Sequence, residues 1–223
     1  MKARRVALHN PLEAARIERR AKGGATPTSM GPGRIITVRH GRPDLSRDMV
    51  ITSREYGDWW AAYDRSGLAP GEEPPTGLLS LARNAPTVMS SPLPRAVETA
   101  AKVADARSVP ADALYVEAPL PPPPVPLLKL RPGQWGVVSR AFWVMGYAPG
   151  DVESHAETWA RVGRAAARLA AVAADGDVVL CAHGYFNWMV DRDLRRRGWR
   201  RVAQTGGNHF WSWRVYDGAG AGA

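Results

Sequence analysis

Short apolar runs that stop abruptly at charged groups, with helix-like sequence between them, constrain the fold of this chain more than any other feature. Ile35-Ile36-Thr37-Val38 stops at Arg39-His40-Gly41, and Thr87-Val88-Met89-Ser90-Ser91 passes through Pro92 into a helical stretch, Leu93 to Ala106, with Arg95 in its first turn. Leu114-Tyr115-Val116 leads into Glu117, and Val178-Val179-Leu180-Cys181-Ala182 ends in His183-Gly184 before the helical stretch Tyr185 to Leu194. Brief β-branched runs bounded in this way read as buried strands. Their alternation with helices predicts a layered α/β fold, here a three-layer α/β/α sandwich with a mostly parallel central sheet.

The predicted order is strand 34–39, helices 53–65 and 76–84, strand 86–90, helix 93–106, strand 113–117, helix 152–174, strand 177–182, helix 185–197 and strand 208–216. In the longest helix Trp159, Val162, Ala166, Leu169 and Val172 share one face at three- and four-residue spacing, which sets that face against the sheet. Pro119 to Pro132 interrupts the alternation. Such a run favours polyproline II, so it reads as a semi-rigid surface excursion. Following Glu117 directly, it is placed in a pocket wall, with Trp135, Phe142, Trp143 and Tyr147 either lining that wall or packing on the core.

Open α/β sheets bind ligands at the carboxyl ends of their strands, and the charged groups named above sit at those ends. A neutral imidazole is a good nucleophile toward phosphorus, and an adjacent guanidinium offers a planar fork that matches phosphate oxygens. Arg95 stands beside the free N–H groups of a helix start, where an anion is favoured. Two His, two Arg and one Glu in such positions describe a phosphate pocket with a nucleophile and an acid.

These residues resemble the histidine phosphatase superfamily, the phosphoglycerate mutase-like family. The matching pieces are Val38-Arg39-His40-Gly41, Ser90-Ser91-Pro92-Leu93-Pro94-Arg95-Ala96-Val97-Glu98-Thr99-Ala100, Glu117 and Ala182-His183-Gly184. Glu153-Ser154 followed by Arg161 and Val162, and Asn208 before the last strand, are supporting matches. The resemblance covers about Arg34 to Tyr216 and implies a phosphoglycerate mutase-like fold. It further implies that His40 forms a phosphohistidine, that Arg39, Arg95, His183 and Gly184 hold the phosphoryl oxygens, and that Glu117 serves as general acid. It implies metal-independent chemistry with no cofactor on a small phosphorylated substrate.

The chain departs from the family pattern in two places. Family members often follow the acid with Gly-x-Trp-Glu-Gly, whereas Ala118-Pro119-Leu120 stands here and the nearest echo is Gly133-Gln134-Trp135-Gly136. After Arg-His-Gly this chain has Arg42, Pro43 and Ser46, so Arg42 and Ser46 are candidate substrate contacts, with Arg42 otherwise a solvated rim residue. Three readings stand: a phosphomonoester phosphatase, a phosphoglycerate mutase-type phosphotransferase, and an inert binding protein on the same scaffold. Hydrolysis is preferred, because all five pocket groups are present and mutases carry longer insertions that exclude water.

The formal charge of +9 over 223 residues would suggest nucleic acid or a membrane, but residues 1 to 34 carry eight Lys or Arg against two Glu. Most of the excess therefore belongs to a basic extension, 1–33, ahead of a catalytic domain over 34–217 and a tail over 218–223. Leu12 to Ala21 could form a short helix in that extension, the Gly- and Pro-bearing stretches after it read as linker, and Met30 is a candidate natural start. Arg195-Arg196-Arg197 with Arg200 and Arg201 falls where a helix should end and is read as dipole-stabilised rather than nucleic-acid binding. No apolar run reaches the ~18 residues of a membrane span. The lone Cys181 excludes an intramolecular disulfide, reads as core filler, and fits a reducing, cytoplasmic compartment. His9, His155 and His209 lack neighbours at metal-ligand spacing. His155 reads as a solvent-facing or capping group. Oligomeric state has no signature in the sequence.

Overall fold

The computed structural model describes residues 33–105 and 107–218. The basic extension, including its helical stretch and Met30, lies outside the described residues. Strands β1 (Ile35–Arg39), β3 (Thr87–Ser90), β5 (Val178–Ala182), β6 (Arg200–Thr205) and β7 (Trp213–Asp217) form one sheet in the order β3-β5-β1-β7-β6. β3, β5 and β1 pair in parallel, and β7 runs against both β1 and β6, so four of the five strands point the same way. A two-stranded sheet joins β2 (Ile51–Thr52) to β4 (Lys129–Leu130).

Among the described residues six α-helices cover this framework: α1 (Ser53–Arg65), α2 (Thr76–Arg83), α3 (Pro94–Ala104), α4 (Pro132–Val144), α5 (His155–Val172) and α6 (Gly184–Arg196). Every residue of β5 is buried, as expected of a strand covered on both faces. Val178, Leu180 and Ala182 point one way, into a core with Val162 and Leu169 of α5 and Phe186 and Met189 of α6. Val179 and Cys181 point the other way, against Leu78 and Ala82 of α2 and Ala100 and Val103 of α3. The three-layer α/β sandwich thus follows from a two-residue side-chain period between two apolar helix faces. Burial pushes the Cys181 thiol up to about 12, so it acts as core filler. A third cluster, Ile51, Tyr56, Trp59, Tyr63 and Trp135, packs α1 against α4.

Local signals set the helix ends. Thr52 and Glu55 cap α1 reciprocally, and Ser154 and Glu157 do the same for α5. Pro94 opens α3, where its missing N–H costs nothing.

Several predicted elements differ in the structure. Residues 113–117 are not a strand, because the Asp112 carboxylate accepts the Leu114 N–H at 2.8 Å and bends the chain into a 3₁₀ turn over Ala113–Tyr115. Only Ala111 bridges to β3, at Ser90. The stretch after the prolines is not all excursion: Lys129–Leu130 pairs with β2, and Pro132 starts α4, which the sequence reading lacked. The final strand is two, with Asn208 in the turn between β6 and β7. All six residues of β6 are exposed, which hid it from an apolar-pattern reading. Arg195 and Arg196 do end α6, but Arg200 and Arg201 lie on β6. His155 is half-buried and accepts the Trp159 indole N–H at 3.0 Å. No helix among the described residues is long and apolar enough to cross a membrane.

Candidate active site

Sheet register brings the site together. Val38 of β1 lies beside Cys181 of β5, which lies beside Ser90 of β3, and Arg39 is level with Ala182. The next residues, His40, His183 and Ser91, therefore leave the sheet side by side. The His40 N–H donates to the Ala182 carbonyl at 3.0 Å, and the Ser91 N–H donates to the Cys181 carbonyl at 3.0 Å. The two imidazole rings stand 5.2 Å apart at 60°.

His40 is 2% exposed, and its Nδ1 lies 2.7 Å from the Gly41 carbonyl. A carbonyl only accepts, so we assign the ring proton to Nδ1, which leaves the Nε2 lone pair available. Burial, then the charges of Arg95, Arg39 and Arg47, hold the His40 imidazole well below its ordinary range. His183 is fully buried, and its Nε2 shares a 2.8 Å hydrogen bond with the Ser91 hydroxyl. Burial first, then His40 and the nearby guanidiniums, keep it neutral as well.

The guanidiniums are held mainly by carbonyls and rings. Arg95 is fully buried in the first turn of α3 and donates to the Tyr63 carbonyl at 2.8 Å and to Asp64 at 3.0 Å, with its cation 4.4 Å from the Tyr63 ring centre. Arg39 donates to the Asn208 carbonyl and lies 4.6 Å from the centre of the Phe210 ring. Burial lowers the Arg39 pKa from its usual value. Among the described residues Nε of Arg39, Nε of Arg95 and Nδ1 of His183 are buried without a protein partner. Unsatisfied buried polar groups are costly, and the two guanidinium nitrogens, on side chains that line one hollow, suit an anion.

Glu117 reaches the same place from the turn after Tyr115. Its Oε1 accepts the N–H groups of Ala118 at 2.9 Å and Phe186 at 2.8 Å, while Oε2 has a longer contact of 3.4 Å to the Tyr185 N–H. The carboxyl thus caps the start of α6. Arg161 of α5 fixes the approach, donating to the carbonyls of Leu114 at 3.0 Å and Val116 at 2.9 Å while pairing with Glu153 at 2.8 Å. The Glu153 and Arg161 positions matched from sequence are thereby tied to the segment that presents Glu117.

A hollow of about 510 Å³ is lined by Arg39, His40, Arg95, Glu117, Gly184 and Asn208. Arg47, Tyr63, Arg140, Tyr185 and Trp188, none of them nominated from sequence for this role, line it too. Arg140 of α4 lies 3.9 Å from the centre of the Tyr185 ring and donates to the Pro119 carbonyl at 2.9 Å. His183 supports His40 without reaching the lining. Arg42 and Ser46 lie off the hollow. The Arg42 side chain turns outward to Glu72 at 3.1 Å, and the exposed Ser46 hydroxyl accepts the Asp48 N–H at 3.2 Å. Trp135 and Trp143 are core, and the wall that α4 supplies consists of Pro132, Gly133, Gly136, Val137 and Arg140. The proline-rich segment contributes Leu120. Among the described residues no group of three or more His, Cys, Asp or Glu is placed to hold a metal ion.

This arrangement, a mostly parallel sheet with histidines at adjacent strand ends, is the fold of the phosphoglycerate mutase-like histidine phosphatases. Among solved structures the chain is similar to mycobacterial glucosyl-3-phosphoglycerate phosphatase, with 21% identity, a TM-score of 0.52, and coverage of 83% of this chain and 90% of that one. The same enzyme with VO3 aligns at 22% identity and a TM-score of 0.53, covering 82% and 92%. The ecdysone phosphate phosphatase of Bombix mori in complex with tungstate aligns at 14% identity and a TM-score of 0.51, covering 83% and 91%. No family model matches the chain, and no curated protein matches it by sequence.

Proposed function

We propose that this chain is a histidine phosphatase that hydrolyses phosphomonoesters through a phosphohistidine on His40. The observation that carries the reading is the neutral imidazole of His40, whose Nδ1 is tied to the Gly41 carbonyl beside the guanidiniums of Arg39, Arg47 and Arg95. Nε2 attacks phosphorus, forming the P–N bond as the P–O bond to the alcohol breaks. Glu117 gives its proton to the departing oxygen. Water then attacks the phosphohistidine, Glu117 takes a proton from that water, and orthophosphate leaves with His40 restored. Of the two carboxyl oxygens Oε2 exchanges the proton, because Oε1 is already engaged by two amides. Arg39 and Arg95 bind the non-bridging oxygens and stabilise charge in the transition state. His183 orients the pocket from behind. The substrate is a small phosphate ester, and the single buried thiol supports a cytoplasmic setting.

The test is hydrolysis of an aryl phosphate with chelator present, comparing the parent with His40→Ala. Turnover in the parent and its loss in His40→Ala are expected; equal inertness of both toward a broad phosphate panel overturns the reading. With Glu117→Gln, alkyl phosphates should lose far more rate than aryl phosphates, whose leaving groups need little protonation. Equal losses would remove Glu117 from the acid role.

A further inference from the structure

Arg47 sits in the loop after β1, seven residues beyond His40, and its guanidinium lines the same hollow. Four contacts hold it there. The Trp59 indole donates to the Ser46 carbonyl at 2.9 Å, pinning the residue before it. Its Nη2 donates to the Tyr63 hydroxyl at 3.1 Å, and its cation stands 5.2 Å from the Tyr63 ring centre and 5.4 Å from that of Phe210. Those two rings already carry the other guanidiniums, Arg95 on Tyr63 and Arg39 on Phe210. His40 touches both, with centroid separations of 6.4 Å to Tyr63 and 5.6 Å to Phe210.

Two aromatic side chains therefore knit three guanidiniums around one imidazole. Among the described residues only Arg95 of the three has a carboxylate within ion-pair distance, Asp64. Three like charges around one small hollow repel, and π faces compensate only in part. A dianionic phosphoryl group would relieve the repulsion, and its three non-bridging oxygens offer an acceptor for each fork. Arg47 is also close enough to His40 to act on its protonation.

We propose that Arg47 is a third phosphate-binding guanidinium, acting with Arg39 and Arg95 on the transferred group and held in place by Tyr63 and Phe210. The proposal rests on the phosphatase reading above. The experiment compares the parent with Arg47→Ala, Arg47→Gln, Arg47→Lys and Tyr63→Phe, with thermal melting as the check on folding. Steady-state hydrolysis of an aryl phosphate, inhibition by vanadate and calorimetric titration with inorganic phosphate are measured on each. Arg47→Ala and Arg47→Gln should lower kcat/KM by about 100-fold or more, the scale of one lost transition-state donor, and weaken vanadate inhibition in step. Arg47→Lys should recover part of that loss, since it restores the charge without the planar fork. Tyr63→Phe should lose less than Arg47→Ala. In Arg47→Gln the acid limb of kcat/KM should also move to higher pH, because a cation beside the imidazole has gone; a purely structural role would leave that limb in place. Folded Arg47→Gln with the parent's kcat/KM and vanadate inhibition overturns the proposal. Should the parent prove inert, the phosphatase reading falls, and the phosphate titration decides the matter alone: weaker binding in Arg47→Gln supports the site, and equal binding overturns it.

Discussion

Replacing Arg161 by Met should damage both stability and a particular part of the chemistry. The Arg161 side chain is 9% exposed and Glu153 27%, so the pair is largely shielded from water. Burial pushes the Glu153 carboxyl up, but the hydrogen bonds from Arg161 and Thr158 outweigh this and hold it below the usual carboxylate range. Arg161→Met strands that carboxylate and leaves the Leu114 and Val116 carbonyls without their charged donor. Breaking a buried pair by removing one partner costs roughly 3 to 5 kcal/mol, and the partial hydration of Glu153 favours the lower end. For a chain of this size that lowers Tm by roughly 6 to 20 °C. Glu153→Gln should cost less, because Arg161 keeps both carbonyls. Below the variant's melting range, turnover of an alkyl phosphate should fall more than that of an aryl phosphate, since the loosened segment presents Glu117. Thermal unfolding and the two substrates measure both effects. A destabilisation below about 0.5 kcal/mol, the scale of an ordinary surface change, or equal losses on the two esters, would refute the clamp.

Both pocket histidines stay neutral below the ordinary imidazole value of 6.5, so the acid limb of kcat/KM should lie under that pH. The same depression makes stability fall as pH drops below 6.5, because the unfolded chain takes up protons that the folded chain refuses. The limiting slope is about 1.4 kcal/mol per pH unit for each histidine. His183→Asn should flatten part of this fall between pH 6.5 and 5 in thermal melts, and an unchanged profile would contradict the assigned burial effect. In Gly184→Ala the added Cβ would meet Arg39 Nε at 3.1 Å. The guanidinium must yield by a few tenths of an ångström, so kcat/KM should drop while Tm holds, as alanine suits a helix better than glycine. A variant with full activity would show that Arg39 tolerates the displacement.

The buried strands were legible because β1, β3 and β5 are short apolar runs ending in charge, and their ends brought His40, His183 and Arg95 into one place. Glu117 was placed there for a partly mistaken reason: Leu114-Tyr115-Val116 looks like a strand, but Asp112 folds it into a turn that still delivers the carboxyl. Ser46 was nominated where its neighbour Arg47 lines the hollow, since in a loop no periodicity tells which side chain faces inward. Arg140 was missed with α4 itself. Its helix follows a proline-rich stretch and opens at Pro132, a residue that breaks a helix interior yet suits a first position. A stripe of Trp135, Ser139 and Trp143 at four-residue spacing was the available signal, and all three are buried.

The two borders of the large sheet are treated differently. Along β3 the neighbouring stretch around Ala111 lies over the main chain, with Ser90 bonded to Pro110 and Asp112. β6 instead turns its full length to solvent, where unsatisfied amides and carbonyls invite another polypeptide to add on. Arg200 and Arg201 stand at its start, and the pairing with β7 slips between Arg201 and Ala203. A locally kinked outline makes a poor template for stacking strand on strand. Among the described residues the hazard of fibril-like growth at that border is thus met with curvature instead of cover.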